Sequence, residues 1–120
     1  DIDYIGASKT TNYLMPESIL IQANKAIEHA VISAYNNNFV VLKKSTLTPD
    51  VPFGSRFVAL SQIVVVNTGK NSCRMICSVE ANFPNGEPVG VGRSIRYGMK
   101  KGAMTTYEKI RDTILDTCPA

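Results

Sequence analysis

Two kinds of apolar spacing divide this chain. Residues 57–66 are long, β-branched and free of Gly and Pro, which predicts a strand. Asn67-Thr68-Gly69-Lys70-Asn71 supplies turn chemistry, and the segment after it alternates cleanly. Cys73, Met75, Cys77, Val79, Ala81 and Phe83 fall on one side, and Arg74, Ser78, Glu80 and Asn82 on the other. A hairpin with one dry and one wet face is expected. Residues 39–46 predict an earlier strand, entered by Phe39-Val40-Val41-Leu42 with Lys43 and Lys44 near its exposed end. Before it, Asn36, Asn37 and Asn38 read as a turn, because short amides compete with the ladder for backbone partners.

The second spacing is helical. From Arg93 onward, Ile95, Met99, Ala103, Tyr107, Ile110 and Ile114 recur at three- and four-residue steps and keep to one stripe, so residues 93–117 are expected as a C-terminal helix. Gly98 and Gly102 each cost about 1 kcal/mol relative to Ala in a helix interior, which suggests close approach to a sheet or a bend. Arg93, Arg96, Lys100 and Lys101 crowd the first turns, where cations oppose the helix dipole. Residues 18–33 fit both periods: Ile19, Ala23, Ala26, Ile27, Ala30 and Val31 at helical intervals, Ile19, Ile21, Ala23, Ile27 and Val31 on one strand face. Residues 1–12 carry few apolar anchors after Ile5 and read as a frayed or extended lead-in.

Composition narrows the classes. With 120 residues, 44% of them hydrophobic, one domain and one core are expected. Thirteen Lys and Arg against ten Asp and Glu give +3, mild enough to visit an anionic membrane. Nucleic acid would call for clustered cations interleaved with stacking aromatics, so no nucleic-acid partner is expected. The chain opens at Asp1 without a Met, which reads as a piece of something longer, and it holds no apolar run long enough to span a bilayer. Three cysteines cannot all pair within one chain, which fits a reducing, intracellular compartment.

Chemistry is sparse. Cys73 and Cys77 lie on a predicted strand, more than ten Å apart at roughly 3.3 Å per residue, and His29 is the only imidazole, so neither metal nor cofactor is expected. Gly90-Val91-Gly92 lacks the rest of a phosphate loop, and no nucleophile elbow exists. No enzyme is expected. An enzyme on this scaffold would require His29 to titrate inside a pocket.

A resemblance enters through Asn38-Phe39-Val40-Val41, Thr48-Pro49-Asp50-Val51-Pro52-Phe53-Gly54-Ser55-Arg56-Phe57, Asn71-Ser72-Cys73-Arg74 and Met99-Lys100-Lys101-Gly102-Ala103. Together these resemble the VASt family of START-like lipid-binding domains, from about Tyr13 to Leu115, with Asp-Val-Pro-aromatic-Gly the most specific piece. The resemblance implies an α+β helix-grip fold, a curved antiparallel sheet packed on a long C-terminal helix, N-terminally short and covering the last two thirds of the family's domain. Residues 18–33 should then be a strand. It further implies binding and non-vesicular transfer of a sterol or similar apolar lipid, on the cytosolic face of membranes at endoplasmic reticulum contact sites, within a larger protein. A second copy completing the fold is a further expected partner.

Wall candidates for a cavity are Phe57, Ile63, Met75, Cys77, Val79, Met99 and Tyr107, with Gln62, Ser61, Ser78 and Tyr97 as polar groups that orient a ligand. The same alternation equally describes an ordinary filled core, as in a protein- or headgroup-binding module that carries no ligand. For membrane contact the candidates are Phe53, in a loop that is either a rigid turn or a cavity-mouth cap, and Arg93, Arg96, Lys100 and Lys101, which otherwise form a solvated helix face.

Overall fold

The computed structural model describes residues 4–15 and 24–117. Within them the chain runs β1 (Ser8–Met15), β2 (Asn24–Tyr35), β3 (Phe39–Leu47), β4 (Val58–Gly69), β5 (Ser72–Asn82) and α1 (Gly92–Thr117). The strands form one antiparallel sheet in the order β1-β2-β3-β4-β5, each beside its sequence neighbours, and α1 packs on β5. This is the open sheet with a long C-terminal helix expected of an α+β helix-grip.

Residues 24–33 lie in β2, where they bond β1 on one side and β3 on the other. Two ladders outweigh a helical spacing that no partner rewards. Residues 18–23 and Cys118 lie outside the described residues. Of the two readings of the lead-in the extended one holds from Ser8, where Ser8–Met15 pairs with β2 from Ser8↔Val31 to Met15↔Asn24. An edge strand is held by its backbone ladder, so a polar run can form one.

Side-chain amides set two turns. Asn36 Oδ1 accepts from the N–H of Asn38 at 2.7 Å and of Phe39 at 3.0 Å, closing the β2–β3 connection. Asn67 Oδ1 accepts from Gly69 N–H at 3.0 Å at the β4–β5 hairpin. The longer β3–β4 connection is pinned at Gly54, where a Cβ would fall 2.9 Å from the Val51 carbonyl oxygen and closer still to that of Thr48. Only a residue without Cβ fits between two backbone carbonyls.

Register sorts the side chains into two faces. Val65↔Met75, Ile63↔Cys77, Ser61↔Val79 and Ala59↔Ala81 share one face across β4 and β5. Val40, Leu42, Lys44 and Thr46 continue it on β3, then Glu28, Ala30 and Ile32 on β2 and Thr11 and Lys9 on β1. Along β5 this face is half-buried, whereas Arg74, Ile76, Ser78, Glu80 and Asn82 are exposed. The helix therefore covers the dry face that alternation predicts.

α1, about 39 Å long at 1.5 Å per residue, presents Ile95, Met99, Ala103, Tyr107 and Ile110 half-buried to that face. Ile114, at the end of the same stripe, is 45% exposed, so the last turn lies beyond the sheet's cover. A Cβ at Gly98 or Gly102 would meet nothing within 4 Å, so neither close approach nor crowding explains them. Gly98→Ala and Gly102→Ala are each expected to stabilise the domain by about 0.5–1 kcal/mol, read as a rise in thermal midpoint. A fall would mean that the helix bends open there.

Candidate functional site

The helix-facing surface is apolar yet sparsely buried. Among the described residues, the hydrophobic side chains that are buried are Ala26 and Ile63, and no large side chain is fully buried. The backbone of α1 comes closest to β5, its Tyr107 reaches Ser61 on β4 and the field of Glu28 on β2, and the same surface continues over β3, β2 and β1. A trough results, floored by the sheet and walled on one side by the helix.

One line of polar groups crosses this trough. Lys44 Nζ stands 3.7 Å from Glu28 Oε1, both side chains about a fifth exposed, with relative exposures of 21% and 23%. Ser61 pairs with Lys44 across β3 and β4, and Tyr107 comes down from the helix beside Ser61. Tyr13 on β1 lies within the field of Glu28. Burial raises the Tyr107 hydroxyl above its ordinary pKa; the neighbouring Ser61 hydroxyl offsets part of that, and Cys77 and Glu28 add to it. Burial likewise raises Tyr13, with Glu28 adding, and raises the Cys77 thiol against the pull of Lys44. Both tyrosines are neutral hydroxyls at neutral pH, as an ordinary tyrosine is, and Tyr13 is 39% exposed.

Of the wall candidates, Ile63, Met75, Cys77, Val79, Met99 and Tyr107 come together between sheet and helix. Phe57 precedes β4 and rests against Phe83, ring centroids 6.2 Å apart, at the trough's end. The polar candidates divide. Ser61 faces the trough, but Gln62 and Ser78 pair with each other on the opposite face, because neighbours along a strand point to opposite sides. Tyr97 is 58% exposed, with the Lys101 ammonium 5.4 Å from its ring centroid. Glu28 and Lys44 were not among the ligand candidates; sixteen residues apart, they carry no local signal of pairing. His29 lies exposed, 3.1 Å from the Thr10 hydroxyl. Among the described residues, no three His, Cys, Asp or Glu side chains converge as a metal site would require.

At the far end of the trough two loops meet. Arg56 donates to the Gly86 carbonyl at 3.5 Å, joining residues 48–57 to residues 83–91. Phe53 is 46% exposed with φ of 61°, a left-handed conformation that a bulky residue adopts at a cost of about 1 kcal/mol. Val89 is fully exposed on the neighbouring loop. Arg93, Lys100 and Lys101 are exposed on the first turns of α1. Arg96 is engaged instead, doubly bonded to Glu87 and lying 5.3 Å from the centroid of the Phe83 ring. Glu87 thus brings a carboxylate to a helix start that has no acidic residue of its own.

That clamp has a pH signature. The Arg96 hydrogen bond holds the Glu87 carboxyl below the usual carboxylate range. A lowered folded value means that its stabilisation is present above the unfolded carboxylate pKa of about 4.3 and is lost as pH falls through the folded value. The first turn of α1 is expected to lose amide-exchange protection in that acid window. Glu87→Gln should show the weaker protection already at neutral pH and little further change on acidification.

Two hollows open on the opposite face of the sheet. One of about 290 Å³ lies beneath residues 48–57, lined by Ile27, Leu47, Phe57 and Val58, and one of about 380 Å³ lies beside Lys43, Gln62 and Glu80. The first is walled mainly by apolar side chains, with Ser55 and Asn85 among them, and the second mainly by polar ones. Among the described residues, no helix is long and apolar enough to cross a membrane.

No curated protein matches this chain. The family described as VAD1 Analog of StAR-related lipid transfer domain, VASt, matches residues 5–102, from before β1 into the first half of α1. The match spans well over half the chain and includes every strand, so this chain belongs to the VASt family of StAR-related, lipid-binding domains.

Proposed function

We propose that the trough takes up one sterol, or a similarly sized apolar lipid, and that the domain passes it between intracellular membranes without vesicles. The carrying observation is an apolar helix-facing surface in which only Ala26 and Ile63 are buried hydrophobic side chains among the described residues. A surface of that kind binds an apolar guest by withdrawing it from water, at about 25 cal/mol per Å². No covalent chemistry is asked of the chain, and an exposed His29 supports a carrier that is not an enzyme. The test is transfer of a fluorescent sterol between liposomes. Saturable transfer is expected, and transfer no faster than the lipid's spontaneous rate would overturn the proposal.

Docking to an anionic membrane surface belongs to the same reading. Phe53 and Val89 sit on joined loops, and Arg93, Lys100 and Lys101 are exposed on α1, which starts beside them. Each cation near an anionic surface contributes about 1 kcal/mol, screened by salt. Replacing both Phe53 and Val89 with Ser is expected to weaken liposome flotation roughly tenfold, with the fold intact. Salt-sensitive flotation without any sterol uptake would instead select a headgroup-binding module. Action at endoplasmic reticulum contact sites, and a second copy completing the domain, belong to the same proposal.

A further inference from the structure

We infer that the outer edge of β5 is the docking site for a second copy of this chain, the two β5 strands pairing antiparallel about a two-fold axis at Cys77. The second copy belongs to the reading above, on which this docking rests, but the lipid plays no part in it.

A strand at the end of a sheet presents one unpaired row of N–H and C=O groups, and folded proteins blunt such rows with Lys, Pro or a bulge. The two end strands differ in that respect. β1 carries Lys9 within a polar run. β5 spans Ser72–Asn82 without Lys, Pro or Gly, and its register against β4 is unbroken from Cys73 to Asn82. Among the described residues no strand lies on its outer side. Nothing within β5 deters a further strand.

The side chains select that strand. In an antiparallel pair about a two-fold axis, each residue meets the one equally far beyond the axis. Cys77 is the midpoint of β5, so an axis there uses the whole strand. On the exposed face Arg74 then meets Glu80 of the second copy, and Glu80 meets its Arg74. Neither side chain has an ion-pair partner among the described residues, so both charges are available. On the helix-facing side Met75 meets Val79, apolar against apolar. An axis at Ile76 would set Arg74 against Ser78, and one at Ser78 would set Glu80 against Ile76. An axis between two residues would place the dry face of one copy beside the wet face of the other. β1 holds a cation and no acidic residue, so self-pairing there has no charge to match.

The helix adds area to the contact. α1 runs antiparallel to β5, with Arg96 over Phe83 and Tyr107 within the field of Cys77, so the helices of the two copies lie on one face of the joined sheet. Tyr97, Met104 and Leu115 are exposed and, at seven and eleven residues apart, share one line along α1 away from its sheet-facing stripe. Within one copy nothing covers this second apolar stripe among the described residues. Beside a second helix it supplies apolar area that a strand pair alone lacks.

Sedimentation equilibrium of the chain over a concentration series, without lipid, tests this. A monomer–dimer equilibrium is expected. Glu80→Arg sets like charges opposite each other at both ends of the pairing and should raise the dissociation constant roughly tenfold. Adding Arg74→Glu restores opposite charges and should return the constant to near its wild-type value. Both positions are exposed, so the variants should keep a cooperative melt. If Glu80→Arg alone unfolds, Arg74→Glu alone and the doubly exchanged chain carry the same comparison. A wild-type chain that stays monomeric, a dimer indifferent to the single exchanges, or an assembly that grows past two would each overturn the β5 pairing. Sterol transfer by the same samples keeps the two proposals apart. Transfer by a chain that stays monomeric removes the pairing and leaves the carrier, whereas a charge-matched dimer that transfers nothing supports the pairing and removes the carrier.

Discussion

Ile63→Ala is expected to destabilise the domain by about 2–4 kcal/mol, the usual range for emptying a packed aliphatic site. Ile63 is only 9% exposed and stands at the centre of the helix-facing surface, beside Cys77 on β5 and Leu42 on β3. In a domain with so few buried side chains, its removal takes a large share of total stability, which is about 5–15 kcal/mol for folded domains. The thermal midpoint should fall by roughly ten degrees, followed by circular dichroism. Ile76 is the control: next in sequence to Cys77 but 47% exposed on the other face, its replacement by Ala should cost less than about 1 kcal/mol. Equal losses at the two positions would mean that the helix does not select one face of β5.

Much of this architecture was readable from local pattern. Alternation from Cys73 to Phe83 located β5 and its dry face, and the three- and four-residue steps from Ile95 to Ile110 located the stripe that meets it. Such periods survive in sequence because each repeats within one element. What failed needed information from between elements. Residues 24–33 were ambiguous by spacing alone; the family resemblance made them strand, and the two neighbouring ladders bear that out. Gln62 and Ser61 are adjacent and both polar, and only register decides that Ser61 is the one on the helix-facing side. The Glu28–Lys44 pair arises because β2 and β3 fold back on each other, which no local spacing records. Arg96 looked like one more surface cation, yet its charge is spent on Glu87, nine residues back across a proline-containing loop. Val89 gave no signal in sequence, since a lone apolar residue between Pro88 and Gly90 becomes notable only when its loop is joined to that of Phe53.

Ala30→Trp is expected to cut sterol transfer at least roughly tenfold while leaving the cooperative melt in place. Ala30 is half-buried on β2 opposite Lys44, on the part of the floor beyond the packing of α1 on β5. An indole at that point occupies the space a ligand body would take, at a position that is half-buried and not part of the buried core formed by Ala26 and Ile63 among the described residues. Its effect on stability should therefore be small, and the apolar area it covers on the floor could raise the midpoint slightly. The competing location is the 290 Å³ hollow on the opposite face, where Leu47 is 42% exposed. A ligand bound there would be indifferent to Ala30→Trp and excluded by Leu47→Trp. Reversal of the two outcomes would move the lipid to the far side of the sheet, leaving the helix as a buttress instead of a wall.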